Sequence, residues 1–190
     1  MAAPIAPYNT TLQTTRKCRV LGLMKKRLLV FGLALLSTSL LADQPWTLWS
    51  RGYGPIRPGM TIKQAENLLG LKLKPSEDRP LQPECDYVFP ATGSSRVGFM
   101  VQDGFITHVS VGLPGVRTRV GAMVGDHTSK LQALYLDQLE IEPHHYQEGA
   151  FYYFVWEENR RCGVKFEVVN DLVVGIDAGD ESIMLVEGCS

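Results

Sequence analysis

Residues 97–111 read VGFMVQDGFITHVSV. Val97, Phe99 and Val101 alternate with Gly98, Met100 and Gln102, Asp103-Gly104 interrupts, and Phe105, Thr107, Val109 and Val111 alternate on the return. Two period-two runs joined by an Asp-Gly pair predict a β-hairpin, because that pair tolerates the positive φ of the turns that match strand twist. The pattern recurs in Val164, Phe166 and Val168, then Asn170-Asp171, then Leu172, Val174, Ile176 and Ala178. Here Lys165, Glu167 and Asp177 take the alternate positions, which predicts an antiparallel sheet with one buried and one wetted face.

Working outward, residues 59–112 align with 125–179. At an offset of 66, Gly59 meets Gly125, Ala65, Leu68 and Leu69 meet Leu131, Leu134 and Tyr135, and Tyr87 meets Tyr153. At 67, Val97, Phe99 and Val101 meet Val164, Phe166 and Val168, and Gly112 meets Gly179. Each unit reads helix, strand, hairpin. Thr61 with Gln64 forms a capping-box signature, Ile62, Ala65, Leu68 and Leu69 follow at helical spacing, and Gly70 stops the run. Asp126 or Thr128 is the expected cap of the second helix, whose stripe is Leu131, Leu134 and Tyr135. The expected fold is α+β, with two tandem helix-plus-three-strand repeats giving a six-stranded antiparallel sheet backed by two helices. One domain is expected over residues 55–190, with repeats at about 55–113 and 121–180, a connector over Gly115–Met123 and a last strand at Ile183–Val186. Residues 43–54 read as a linker, in which Trp46 and Trp49 either pin the segment to the body or hang free.

Ahead of this body, Met24 opens MKKRLLVFGLALLSTSLLADQ. Three bases, an apolar run from Leu28 to Leu36 and small residues up to Ala42 have the layout of a secretory signal peptide, so residues 1–42 read as a leader cut after Ala42. The apolar run is shorter than the roughly 20 residues a stable membrane span needs. The formal charge of −1 divides accordingly: residues 43–190 hold thirteen bases against twenty acids, a net −7. That balance repels phosphate backbones and argues against nucleic acid as a partner.

Export places the remaining Cys85, Cys162 and Cys189 in an oxidising compartment, where three thiols suggest one bridge. Cys85–Cys189 closes the longest loop, which stabilises most in the chain-entropy account, and Cys162 is the alternative partner of either. Cys18, in the leader, is expected to be lost. None of the three has the close spacing of a zinc ligand pair.

Several constellations invite a chemical reading. Glu142-Pro143-His144-His145 offers a carboxylate and two imidazoles, but adjacent side chains of an extended segment point to opposite sides. Asp126, His127 and Ser129 resemble a triad in composition only, since triad members converge from different segments. No catalytic residue, metal or cofactor is predicted. Phe151 to Trp156 alternates, so Tyr152, Phe154 and Trp156 share one face, which is either cross-strand packing or, with Lys165 and Glu167 as neighbours, a candidate contact surface.

Pro58-Gly59-Met60-Thr61, followed by Ala65 and Leu68-Leu69-Gly70, resembles the opening of the SmpA/OmlA small lipoproteins, and the doubled arrangement resembles the β-lactamase inhibitory protein-like tandem-repeat fold family. The resemblance implies binding of proteins through a sheet face and loops. The chain is accordingly expected to be an exported, non-enzymatic protein-binding or inhibitor-like module, periplasmic or secreted, of a Gram-negative-type bacterium. The alternative is a periplasmic enzyme or metal-binding protein using His127, Glu142, His144 and His145.

Overall fold

The computed structural model describes residues 46–76, 79–82, 84–91 and 96–189. The leader, its cut after Ala42 and Cys18 lie outside the described residues. Leu48–Trp49 (β1) and Gly52–Tyr53 (β2) form a small hairpin, then come a helix over Ile62–Leu69 (α1) and strands Leu73–Pro75 (β3), Cys85–Pro90 (β4), Gly98–Gln102 (β5) and Phe105–Val111 (β6). A second helix over Thr128–Tyr135 (α2) precedes Leu139–Pro143 (β7), Phe151–Trp156 (β8), Cys162–Val169 (β9) and Leu172–Asp180 (β10). The large sheet is antiparallel with order β3-β4-β5-β6-β10-β9-β8-β7.

The turns form where the sequence places them. Asp103 and Gly104 have φ of 51° and 80°, Asn170 and Asp171 of 50° and 62°, the left-handed pairs that tight hairpins need. Thr61 Oγ1 accepts from the Gln64 backbone N–H at 3.2 Å, Gln64 Oε1 accepts from the Thr61 N–H at 2.8 Å, and α1 ends at Gly70 with φ of 67°. The cap of α2 is neither Asp126 nor Thr128. His127 Nδ1 accepts from the Ser129 N–H at 3.2 Å, while Asp126 accepts from the Met123 N–H and pairs with Lys130.

The expected six-stranded sheet of two helix-plus-three-strand repeats, backed by two helices, is corrected by these findings. The sheet has eight strands, and each helix is only eight residues long, burying Ala65 in α1 and Thr128, Leu131 and Tyr135 in α2. The two added strands, β3 and β7, are edge strands ending in proline, which an edge tolerates. The core is the sheet face bearing Phe99, Val101, Val109, Phe166 and Ile176, closed from above by Leu48, Ile56, Ala65, Ala122 and Leu131. Residues 46–54 are therefore no linker: Leu48 is fully buried and Trp46 packs edge-on against Tyr53 at 5.5 Å.

The second face is covered as well. Ile183–Val186 does not add a strand; Glu181–Met184 winds into a 3₁₀ turn, started by Asp180 Oδ1 accepting from the Ser182 N–H at 3.0 Å, and lays Ile183 on Tyr152 and Phe154. The Cys85–Cys189 disulfide, Cα–Cα 5.2 Å, then ties the segment to β4, while Cys162 at the start of β9 takes no part in that bridge.

Candidate functional site

Register builds a polar row on the second face. Tyr87, Met100, His108, Gly179, Gly163 and Trp156 are successive cross-strand partners. A Cβ at Gly179 would lie 2.5 Å from the His108 Cβ, and one at Gly163 2.6 Å from the Trp156 ring, so the two glycines make room for these rings. His108 is hydrogen-bonded through Nδ1 to Ser182 Oγ at 2.8 Å and through Nε2 to Tyr87 OH at 3.3 Å. Burial lowers its pKa to about 4, against the pull of Asp177. Tyr87 is pushed up to about 12, by burial first and then by Asp177. In the next row Ser110 donates to Asp177 at 2.6 Å, and Lys165 pairs with Asp177 at 2.8 Å.

This row uses up the residues expected to make contacts. Within the predicted contact surface of Tyr152, Phe154, Trp156, Lys165 and Glu167, Tyr152 and Phe154 are internal, 6% and 3% exposed, whereas the Glu167 side chain stays 40% exposed. Lys165 serves Asp177, and Glu167 meets His144 Nε2 at 3.2 Å. Trp156 stacks on Phe154 at 5.6 Å and reaches the rim of a separate cleft. The reason is the C-terminal segment, which the alternation pattern cannot reveal.

The histidines of the alternative reading do not converge. His127 caps α2, His144 stacks on Tyr152 at 4.5 Å, and His145 lies 5.9 Å from the same ring. Among the described residues no three His, Cys, Asp or Glu side chains are grouped to hold a metal ion. The two histidine–serine pairs among the described residues are occupied with structure: His127–Ser129 at 3.0 Å starts a helix, and His108–Ser182 is buried.

A cleft of about 810 Å³ opens between the β1–β2 hairpin, the segment around Thr118 and the β8–β9 end. Backbone pairing builds it: the Leu48 N–H donates to Arg117 O at 2.9 Å and the Arg119 N–H to Leu48 O at 2.8 Å, which sets Arg119 beside Trp49. The Arg119 guanidinium carbon lies 3.6 Å from the Trp49 ring centroid and that of Arg57 4.4 Å. At the hairpin turn, Ser50 Oγ and Arg51 Nε both donate to Glu157 Oε1, at 2.6 and 2.8 Å. Burial pushes the Glu157 carboxyl up, but Arg51 and Ser50 outweigh it and leave the pKa lowered. The Arg57 pKa is lowered by burial, then by repulsion from Arg119 and Arg51. Tyr135 OH donates to Thr118 Oγ1 at 3.1 Å in the floor, and half-exposed Val120 stands at the rim. Sequence reasoning missed this cleft because its arginines are dispersed along the chain; the signal was the Trp46/Trp49 pair beside Arg51.

No protein-family model matches the chain, and no curated protein matches it. Among solved structures, it is similar to an extracellular protein containing a SCP domain from Bacillus anthracis str. Ames. The TM-score is 0.46 at 11% identity, over 82% of this chain and 52% of that one. The chain thus spans about half the length of that protein, and so remote a likeness assigns neither a fold nor an activity.

Proposed function

We propose that the protein is an exported, non-enzymatic binding module, periplasmic or secreted, which receives a protein partner in the cleft beside Trp49. The observation that carries this reading is the cleft itself, where stacked arginines, an aromatic ring and exposed Val120 meet in one concave surface. Arginine and tryptophan are the side chains over-represented among the energetic centres of protein interfaces. Export is supported by the leader layout of residues 24–42 and by the Cys85–Cys189 bridge, which belongs to oxidising compartments.

The test is affinity capture from envelope and culture-fluid extracts, comparing the wild-type protein with Val120→Asp. Val120 lies at the rim, so its replacement leaves the core intact. A protein retained by the wild type and released by the variant supports the reading. If no protein is reproducibly retained, or if the variant retains it equally, the reading fails.

A further inference from the structure

We propose that the occupant of the cleft is an acidic segment of that partner, whose carboxylates pair with Arg119 and Arg51 while its apolar side chains cover Val120 and Val155. This rests on the cleft being a binding surface and adds the chemistry of what it takes.

Charge complementarity carries the argument. Carboxylates outnumber bases across residues 43–190, and many of the described bases have one: Lys63 and Lys72 meet Glu66, Arg79 meets Asp86, Lys130 meets Asp126, Arg160 meets Glu140 and Lys165 meets Asp177. Around Trp49 the balance reverses, with three guanidiniums gathered against Glu157, which Arg51 already holds, and Glu158, which also lines the cleft. Arg57 is partly satisfied by the carbonyls of Gly54 and Ile56. The Arg119 guanidinium has no hydrogen-bond acceptor among the described residues and rests only on the indole. A stacked guanidinium keeps its N–H edge for a planar acceptor, and a carboxylate fits that edge with two parallel bonds. The mutual repulsion that lowers the Arg57 pKa is relieved by any anion placed among the three.

The shape favours a peptide over a lone ion. The cleft is open and about 810 Å³, near the upper end of small-ligand sites, and the aliphatic side chains it leaves accessible are Val120 and Val155. An inorganic anion would meet the arginines and leave those side chains wet, whereas a segment alternating acidic and apolar residues covers both.

The test is calorimetric titration of the full chain with a synthetic hexapeptide alternating glutamate and leucine. A lysine–leucine hexapeptide, succinate and inorganic phosphate are titrated in parallel. The acidic peptide is expected to bind, to weaken as salt rises, and to lose ~10-fold or more in affinity in Arg119→Gln, with part of the loss restored in Arg119→Lys. Comparison with the variant removes any contribution of the basic leader, and a thermal melt confirms that the variant is folded. The proposal is overturned by no binding of the acidic peptide or undiminished binding in folded Arg119→Gln. Equal binding of the basic peptide, or succinate or phosphate matching the acidic peptide, overturns it too. A partner captured through the cleft without peptide binding would sink this proposal alone, and peptide binding without any captured partner would sink the reading of the protein as a protein-binding module.

Discussion

His108 Nδ1 lies 2.8 Å from Ser182 Oγ, joining the middle of the sheet to the turn that follows its last central strand. The contact spans 74 residues of sequence and helps to fix the C-terminal segment, together with Ile183 on Tyr152 and Phe154, the Tyr146 hydroxyl on Glu187 and the disulfide to β4. A sheet face that alternation marks as wetted is therefore a second, smaller interior. Its polar groups are satisfied by one another, as buried polar groups must be.

Acid should weaken the fold through His108. Folded, the ring titrates at about 4; released, it titrates at its ordinary 6.5. Between these values the unfolded chain binds the extra proton, so stability is full above 6.5, falls as pH drops through the window and is lost by about 4. Asp177 draws the proton toward the ring and Lys165 opposes it, while the Tyr87 hydroxyl faces Nε2 and stays neutral throughout. The expected loss is about 3 kcal/mol, read from denaturant melts between pH 7 and pH 4. His108→Gln should flatten that part of the profile; a parallel profile in the variant would show that another group is responsible.

Removing the bridge should release the cover. Its ends are 104 residues apart, and loss of a bridge of that span costs about 2–5 kcal/mol. The double variant Cys85→Ser, Cys189→Ser should melt lower and be cleaved by protease within residues 181–188 before the sheet is cut. Met184 and Leu185, already exposed, are the expected cutting sites. Cleavage beginning in the β5–β6 hairpin instead would mean that other contacts hold the segment.

These devices differ in how far they could be read from sequence. Both central hairpins and the core face were legible, because Phe99, Val109, Phe166 and Ile176 repeat every second residue and burial enforces that period. The capping box of α1 was legible because Thr61 and Gln64 act within one turn. Alternation shows that a strand has two faces but not what lies on the second, so the turn over Tyr152 and Phe154 could not be read from it. Leu73-Lys74-Pro75 is too short to show a period, although Leu139-Glu140-Ile141-Glu142 alternates and could have been taken as a strand. The cleft depends on Leu48 pairing with residues 117–119, a non-local choice with no local signature.

Two glycines at equivalent places in the sequence alignment should respond differently. A Cβ at Gly179 would lie 2.4 Å from Thr107 O and 2.6 Å from the His108 Cα, backbone that cannot move without breaking the β6–β10 ladder. A Cβ at Gly112 meets nothing within 4 Å. Gly179→Ala should cost about 2–3 kcal/mol or more, the upper range for overpacking. Gly112→Ala should lie within about 0.5 kcal/mol of wild type, as surface changes usually do. Equal effects in chemical denaturation would mean that the central strands are less closely joined than the structure has them.

The last expectation concerns Glu157, which pairs with Arg51 and lines the same cleft as Arg119. Its side chain is 20% exposed and that of Arg51 25%, so the pair is neither freely solvated nor sealed. Removing one member of a partly buried pair leaves the other charge unanswered, which costs more than an exposed pair contributes. Glu157→Gln keeps the shape and removes the charge, leaving Arg51, Arg57 and Arg119 to repel one another. At low ionic strength the variant should be about 1–2 kcal/mol less stable than wild type, and the deficit should shrink as screening increases. Sulfate should close the gap faster than chloride at equal ionic strength, because a divalent anion that sits among guanidiniums replaces the lost carboxylate, whereas screening alone treats the two salts alike. Melts in matched sulfate and chloride series decide the point: identical recovery in both salts means the three arginines do not act together on an anion.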